Sequence, residues 1–209
     1  MYITHNHLDH IGGLESLFYK AYFNPEYFGR IRLYVPTQIL EPLHRRIADT
    51  SGIVAEGGVN VWDCFQLVPV LDCFWHEELA FRCFPVLHHV HNSAFGIALP
   101  GVFLYTGDTR PVPEILNSYA CCSEVISHDG CLADNPSHAN VAEVHKYYRR
   151  EQLDRMVFYH YRSTETAGHI EHLGYTCAVP GQTFTLGVHC PDTLSAKAPS
   201  LKLFGNQSL

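Results

Sequence analysis

Apolar positions recur along this chain with two periods, one near two residues and one near three and a half, and the order in which they alternate predicts a layered arrangement of strands and helices. Residues 1–4 read as the end of a strand, and Gly12-Gly13 then leads into a helix-like run over residues 14–23. Residues 30–35 have the β-branched and aromatic content of a strand, after which Thr37 is placed to cap a helix with Leu40, Leu43 and Ile47 along one face. Residues 51–60, rich in Gly and small side chains, read as a loop, and residues 79–87 alternate as a strand. Pro100-Gly101 separates two apolar runs, 94–99 and 102–106, which predicts a hairpin. A helix over 113–119, a strand over 124–127, a helix over 140–151 and a strand over 156–159 are expected next. The stretch from Cys190 lacks periodicity, so the expected organisation is a single domain over residues 1–189 and an irregular tail over 190–209. Elements in this order belong to the mixed α/β (α+β) class, in which loops at one end of the strands carry the site.

Composition narrows the function classes. With 209 residues, 46% hydrophobic and 17% charged, the chain can bury a substantial core and is neither disordered nor fibrous. A formal net charge of -7 works against holding a long nucleic acid through many phosphate contacts, so a small-molecule substrate is expected. No apolar run approaches the roughly 18 residues of a membrane helix. The eight cysteines include no CxxC pair and mostly lie in apolar stretches such as Asp72-Cys73-Phe74 and Arg82-Cys83-Phe84. They read as reduced, buried thiols of a cytoplasmic protein, with the vicinal pair Cys121-Cys122 filling a helix end.

Fifteen histidines are many for this length, and their clustering carries the chemistry. Thr4-His5-Asn6-His7-Leu8-Asp9-His10 packs three imidazoles and a carboxylate just beyond a strand end. On extended backbone every second side chain realigns, so His5 and His7 point the same way, while Asp9 and His10 face a neighbouring point where the chain turns toward Gly12-Gly13. That geometry serves two metal ions. Three further strand ends carry a His or an Asp: residues 86–87 run into His88-His89-Val90-His91, residues 103–105 into Gly107-Asp108-Thr109, and residues 156–159 into His160. Taken singly, Asp108 reads as a turn residue beside Gly107 and His160 as a hydrogen-bonded strand-end histidine; together they have the pattern of ligands converging from several elements.

The run His5-x-His7-x-Asp9-His10 resembles the HxHxDH signature of the metallo-β-lactamase superfamily, and the resemblance extends to about residue 186. Ser93-Ala94-Phe95-Gly96 and Tyr105-Thr106-Gly107-Asp108-Thr109-Arg110 resemble most its phosphodiesterase branch, which includes tRNA 3′-processing endonucleases and cyclic-nucleotide phosphodiesterases. The resemblance implies a four-layer αββα sandwich. It also implies two divalent metals, zinc first with manganese or iron as alternatives. One would rest on His5, His7 and a histidine of the second cluster, the other on Asp9, His10 and His160, with Asp108 bridging both. His89 is taken as the second-cluster ligand, with His91 as runner-up and His88 also within reach. Ser127-His128-Asp129 and Ser137-His138-Ala139 fall where that branch places acidic and histidine residues beside the leaving group, so His138 is expected to donate a proton, and His128 or Asp129 to hold a metal-bound histidine. Arg110 is expected to approach a phosphate. Members of the superfamily carry several strands ahead of the signature, whereas here it starts at residue 5, so the sandwich is expected to be N-terminally incomplete, with an apolar sheet face open to water or to a second copy in a homodimer. The implied activity is hydrolysis of a small phosphodiester such as a cyclic nucleotide by a water shared between the metals, with Asp9 and Asp108 beside it. A thioester, lactone or β-lactam hydrolase on the same site, and a non-catalytic metal-binding relative, are the competing expectations.

Overall fold

A computed structural model of the chain describes residues 1–51, 59–120 and 124–186. Extended backbone at residues 1–5 is followed by the single turn α1 (Leu8–Ile11) and by α2 (Leu14–Tyr22), whose buried Leu14, Phe18 and Ala21 recur at helical spacing. Strand β1 (Ile31–Pro36), helix α3 (Thr37–Ser51) and strand β2 (Phe65–Val70) come next, and β1 and β2 pair in parallel as a two-stranded sheet. A seven-stranded sheet holds the rest, with neighbouring strands in chain order: β3 (Cys73–His76), β4 (Leu79–Pro85), β5 (Phe95–Leu99), β6 (Phe103–Tyr105), β7 (Val125–Asp129), β8 (Met156–Tyr159) and β9 (Thr176–Cys177). β3 to β6 are antiparallel, and β6 to β9 are parallel. The parallel strands are joined by crossovers that carry α4 (Pro113–Tyr119), α5 (Val141–Tyr147), α6 (Arg150–Leu153) and α7 (Thr164–His172).

Two apolar cores follow from this arrangement. Ala98, Leu104, Ile126, Met156 and Phe158, on one face of the large sheet, pack with Leu116 of α4, Val144 of α5 and Ile170 of α7. A second core joins Leu14 and Phe18 of α2, Ile39, Leu43 and Ile47 of α3, and Leu33 and Val35 of β1 to Phe74, Cys83 and Phe95 of β3 to β5. Tyr34 stacks on Phe74 with ring centroids 4.3 Å apart, which seats one sheet on the other. Helices therefore cover the outer faces of two stacked sheets. Beyond that contact the inner face of the large sheet, Ile97, Phe103, Tyr105, Val125 and Val157, lines a cavity of about 430 Å³ together with Phe184 and Leu186.

Several elements differ from the sequence expectation. The helix expected over 140–151 is two, because Tyr148 leaves helical backbone (φ -104, ψ 150) and turns inward. There its hydroxyl accepts the Val112 amide at 2.6 Å and donates to Nε2 of buried His128 at 2.8 Å. Thr37 is the first residue of α3 and its hydroxyl bonds the Gln38 side chain, so it does not cap the helix from outside. Strands β2, β3 and β9 and helix α7 had no sequence counterpart, and Cys73, expected among the buried thiols, is exposed. The expected tail over 190–209, the pair Cys121-Cys122 and most of the loop over 51–60 lie outside the described residues. Among the described residues no helix is long and apolar enough to cross a membrane.

Candidate metal centre

The extended N-terminal segment places the histidine run. Tyr34 donates its amide to the Met1 carbonyl at 2.8 Å and Ile3 donates to Tyr34 at 3.0 Å, while Phe95 donates to Thr4 at 2.9 Å. Residues 1–5 thus join β1 to the strand leading into β5, and they deliver His5 to the rim where the sheets meet. One helical turn then follows: His10 and Ile11 both donate to the His7 carbonyl, and buried Ile11 fixes α1 in the core. Asp9 and His10 are left facing the rim.

Asp108 is the centre of the cluster. Its side chain is 1% exposed, and its Oδ2 lies 3.1 Å from His10 Nε2, 3.2 Å from His160 Nε2, and 3.8 Å from both His5 Nε2 and His88 Nε2. Asp9, 63% exposed, reaches His10 at 3.4 Å and His160 at 3.6 Å. Two groups of side chains therefore present donor atoms within 4.8 Å of one another and could each hold a metal ion: His5 with His7 and His88, and Asp9 with His10, Asp108 and His160. His5 Nε2 and Asp108 Oδ1 are buried without any hydrogen-bond partner, a costly arrangement for a protein alone and a natural one for atoms that ligate a cation. The donor set, imidazoles and carboxylates, suits a divalent transition metal.

His88 takes the place expected of His89. Its ring sits 4.8 Å from that of His5 and 4.9 Å from that of His7, whereas His89 and His91 are exposed. The cause is strand alternation: Phe84, Val86 and His88 are buried and Pro85, Leu87 and His89 are exposed, so the period of β4 carries on past its end. His88 Nδ1 lies 2.9 Å from the Ser137 carbonyl, which can only accept, so Nδ1 carries the proton and Nε2 keeps its lone pair toward the cluster.

Two local backbone features aim the other side chains. Gly107 has φ +65, and a Cβ there would stand 3.2 Å from the Phe95 carbonyl oxygen and 3.4 Å from Thr4. Gly107→Ala should therefore lose about 1–3 kcal/mol in urea denaturation; an unchanged midpoint would mean the turn before Asp108 tolerates a side chain. His160 itself is left-handed, φ 63, a conformation uncommon for non-glycine residues, and it turns the ring back over Asp108 from the end of β8.

Protonation follows geometry. Burial pushes His5 down to about 3, and burial also lowers His88 and His7, so these rings are neutral as a ligand must be. The hydrogen bond to Asp108 is the main cause that raises His10. Burial acts to raise Asp108, but the His10 hydrogen bond and the nearby His160, His10 and His5 outweigh it and hold the carboxyl below its usual range.

Beside the cluster stands a second, connected pair. His138 Nδ1 lies 2.6 Å from Asp129 Oδ2, and the same oxygen accepts the Thr109 amide at 2.9 Å. Asp129 Oδ1 is 3.8 Å from His160 Nδ1. The His138 ring stacks on that of His160 at 4.7 Å and is tilted 4.8 Å from that of His88, close enough for His88, Asp108 and His138 to count as a third potential ligand group. Of the two residues expected to steady a ligand, Asp129 is the one at the site; His128 is wholly buried and faces Tyr148. Arg110, expected near a phosphate, lines a different cavity with Glu114 and Glu143.

Residues 1–184 match the profile of the family described as anti-Pycsar protein Apyc1. The chain belongs to this family. Anti-Pycsar protein Apyc1 of Bacillus phage BSP38 is 28% identical over 182 residues, covering 76% of this chain and 66% of that protein. The Apyc1 relative from Paenibacillus xerothermodurans is 27% identical over 151 residues, covering 68% of this chain and 59% of its own length. The chain thus spans about two thirds, or less, of the Apyc1 proteins it matches. Among solved structures, a diphosphatase of the PhnP family superimposes with a TM-score of 0.68 at 16% identity, covering 90% of this chain and 72% of that one. The metallo-β-lactamase fold protein YhfI from Bacillus subtilis superimposes with a TM-score of 0.60 at 11% identity, covering 85% of this chain and 73% of that one. The fold of this Apyc1 family member is therefore the metallo-β-lactamase fold.

Proposed function

We propose that this chain is a metal-dependent phosphodiesterase that hydrolyses a small phosphodiester, a cyclic nucleotide first among them. The observation that carries the reading is the place of Asp108, one buried carboxylate within 3.8 Å of histidines from both ligand groups. His5, His7 and His88 would hold one divalent metal, and Asp9, His10 and His160 the other, with Asp108 shared. Zinc is the first candidate, since its sites favour imidazole and carboxylate donors and keep an open position when catalytic. When bound, a metal pair makes water acidic enough to attack near neutral pH and offsets charge on the phosphoryl oxygens.

The remaining work falls to side chains of the chain itself. Asp129 takes the Nδ1 proton of His138 in a hydrogen bond, which fixes the ring and leaves Nε2 free to carry a proton to the departing oxygen. The same carboxylate, through the Thr109 amide, ties that ring to the loop bearing Asp108, so ligand and proton donor keep a constant separation. The name borne by the family's curated relatives states opposition to Pycsar, and hydrolysis of a cyclic nucleotide is the form that opposition is proposed to take here.

The test is a metal analysis paired with a substrate panel. Two metals per chain are expected, with turnover of a 3′,5′-cyclic nucleotide that stops on chelation and returns with Zn²⁺ or Mn²⁺. Turnover of a thioester or lactone in its place would move the reading to the competing hydrolases, and two metals with no hydrolysis would make the chain a binding protein.

A further inference from the structure

A cavity of about 560 Å³ opens beside the cluster, on the side of His138 and His160, and its remaining wall includes Leu132, Asn135, Arg162 and Thr166. Its size is that of a small-molecule pocket. Resting on the phosphodiesterase reading above, we propose that this cavity receives the nucleoside part of the substrate, an uncharged, oxygen-bearing group that carries the leaving oxygen and stays attached to the phosphate when the ring opens, and that Arg162 grips it there.

Three observations converge on this. The cavity touches His138, so the group that takes up its proton would lie inside it. Arg162 supplies a guanidinium to that wall and, among the described residues, has no hydrogen bond or ion pair of its own. Its five N–H donors are therefore open to carbonyl and hydroxyl oxygens of a ligand. The part of the wall around Leu132 is built in advance. Cys131 donates its amide to Ala139 at 2.9 Å and accepts that of Val141 at 2.9 Å, and the Asn140 amide group bonds the Leu132 carbonyl and Asp134. The Cys131 thiol shares its one proton between the Ala133 and Ala139 carbonyls, so it serves as a strut and not as a nucleophile. Exposed Leu132, 36% accessible, gives this wall an apolar surface against which a flat ring can lie.

Arg162→Gln separates this proposal from the reading beneath it, and because Arg162 is exposed the substitution puts no core contact at risk. Calorimetry with two probes, a nucleoside 5′-monophosphate and inorganic phosphate, should show the nucleotide weakened about tenfold, the loss expected for a charge-assisted hydrogen bond, and phosphate at most threefold. In turnover, KM for the cyclic nucleotide should rise about tenfold with kcat changed far less, and bis(p-nitrophenyl) phosphate should lose at least fivefold less than the nucleotide. Equal losses for both probes would place Arg162 on the phosphoryl group and overturn the subsite. So would equal affinities of wild type and variant for the nucleotide, or a wild type that binds neither probe. Wild-type turnover judges the phosphodiesterase reading by itself, whereas the ratio between probes judges the subsite.

Discussion

Asp108→Ala is expected to abolish metal-dependent turnover of bis(p-nitrophenyl) phosphate, a fall on the order of 10³-fold or more, equivalent to about 4 kcal/mol of barrier. The reason lies in the number of groups that meet at one oxygen. Asp108 Oδ2 is within 3.2 Å of His10 and His160 and within 3.8 Å of His5 and His88, so a single truncation removes a carboxylate that approaches histidines of both groups. The Asp108 side chain is 1% exposed, and without it the buried His5 and His88 rings would lose the carboxylate nearest them, leaving only exposed Asp9 beside His10 and His160. Metal content should fall together with rate. Asp108→Asn keeps the volume and tests folding separately: a folded Asn variant with wild-type metal content and near-normal turnover would refute the shared role.

His138→Ala is expected to separate rate from metal content. A positioned general acid contributes typically 10²–10⁴-fold, so turnover of a cyclic nucleotide should fall by that order. The metals should stay, because His5, His7, His88, Asp9, His10, Asp108 and His160 form two groups without His138. A further asymmetry follows from the chemistry of departure. A sugar alkoxide leaves poorly without a proton, whereas p-nitrophenolate is a stable anion, so bis(p-nitrophenyl) phosphate should lose far less rate than the nucleotide. Loss of one metal equivalent would make His138 a ligand, through the group it forms with His88 and Asp108, and equal losses for the two substrates would remove it from proton transfer.

The network behind His138 explains why that test is informative. Asp129 is fully buried, and it accepts the His138 Nδ1–H and the Thr109 amide on one oxygen. Its partner interactions raise His138, the hydrogen bond to Asp129 first among them. The strand that carries Asp129 is held from behind by the chain from His128 to Tyr148 to the Val112 amide, which also accounts for the break between α5 and α6. Packing behind the rim and chemistry at the rim are thus parts of one hydrogen-bonded structure.

The sequence by itself determined the elements whose signal is local and the candidate metal-binding side chains that sit close together or at strand ends. The hairpin across Pro100-Gly101, the helix Pro113–Tyr119 and the strand Met156–Tyr159 rest on turn chemistry and short-range periodicity, and each is present. Asp108 and His160, far apart in the chain, do meet Asp9 and His10. Strand β2 was not legible because Pro69 interrupts its apolar run and its partner β1 lies more than thirty residues upstream, so only pairing makes it a strand. His88 could have been read by carrying the alternation of Phe84 and Val86 two residues further, but where that alternation ends depends on the Ser137 carbonyl, which arrives from the connection between β7 and α5. Arg162 had no signal at all. An exposed arginine two positions after a histidine looks the same whether it faces solvent or a cavity, and only tertiary packing, which brings the loop around Leu132 to the same cavity, decides between them.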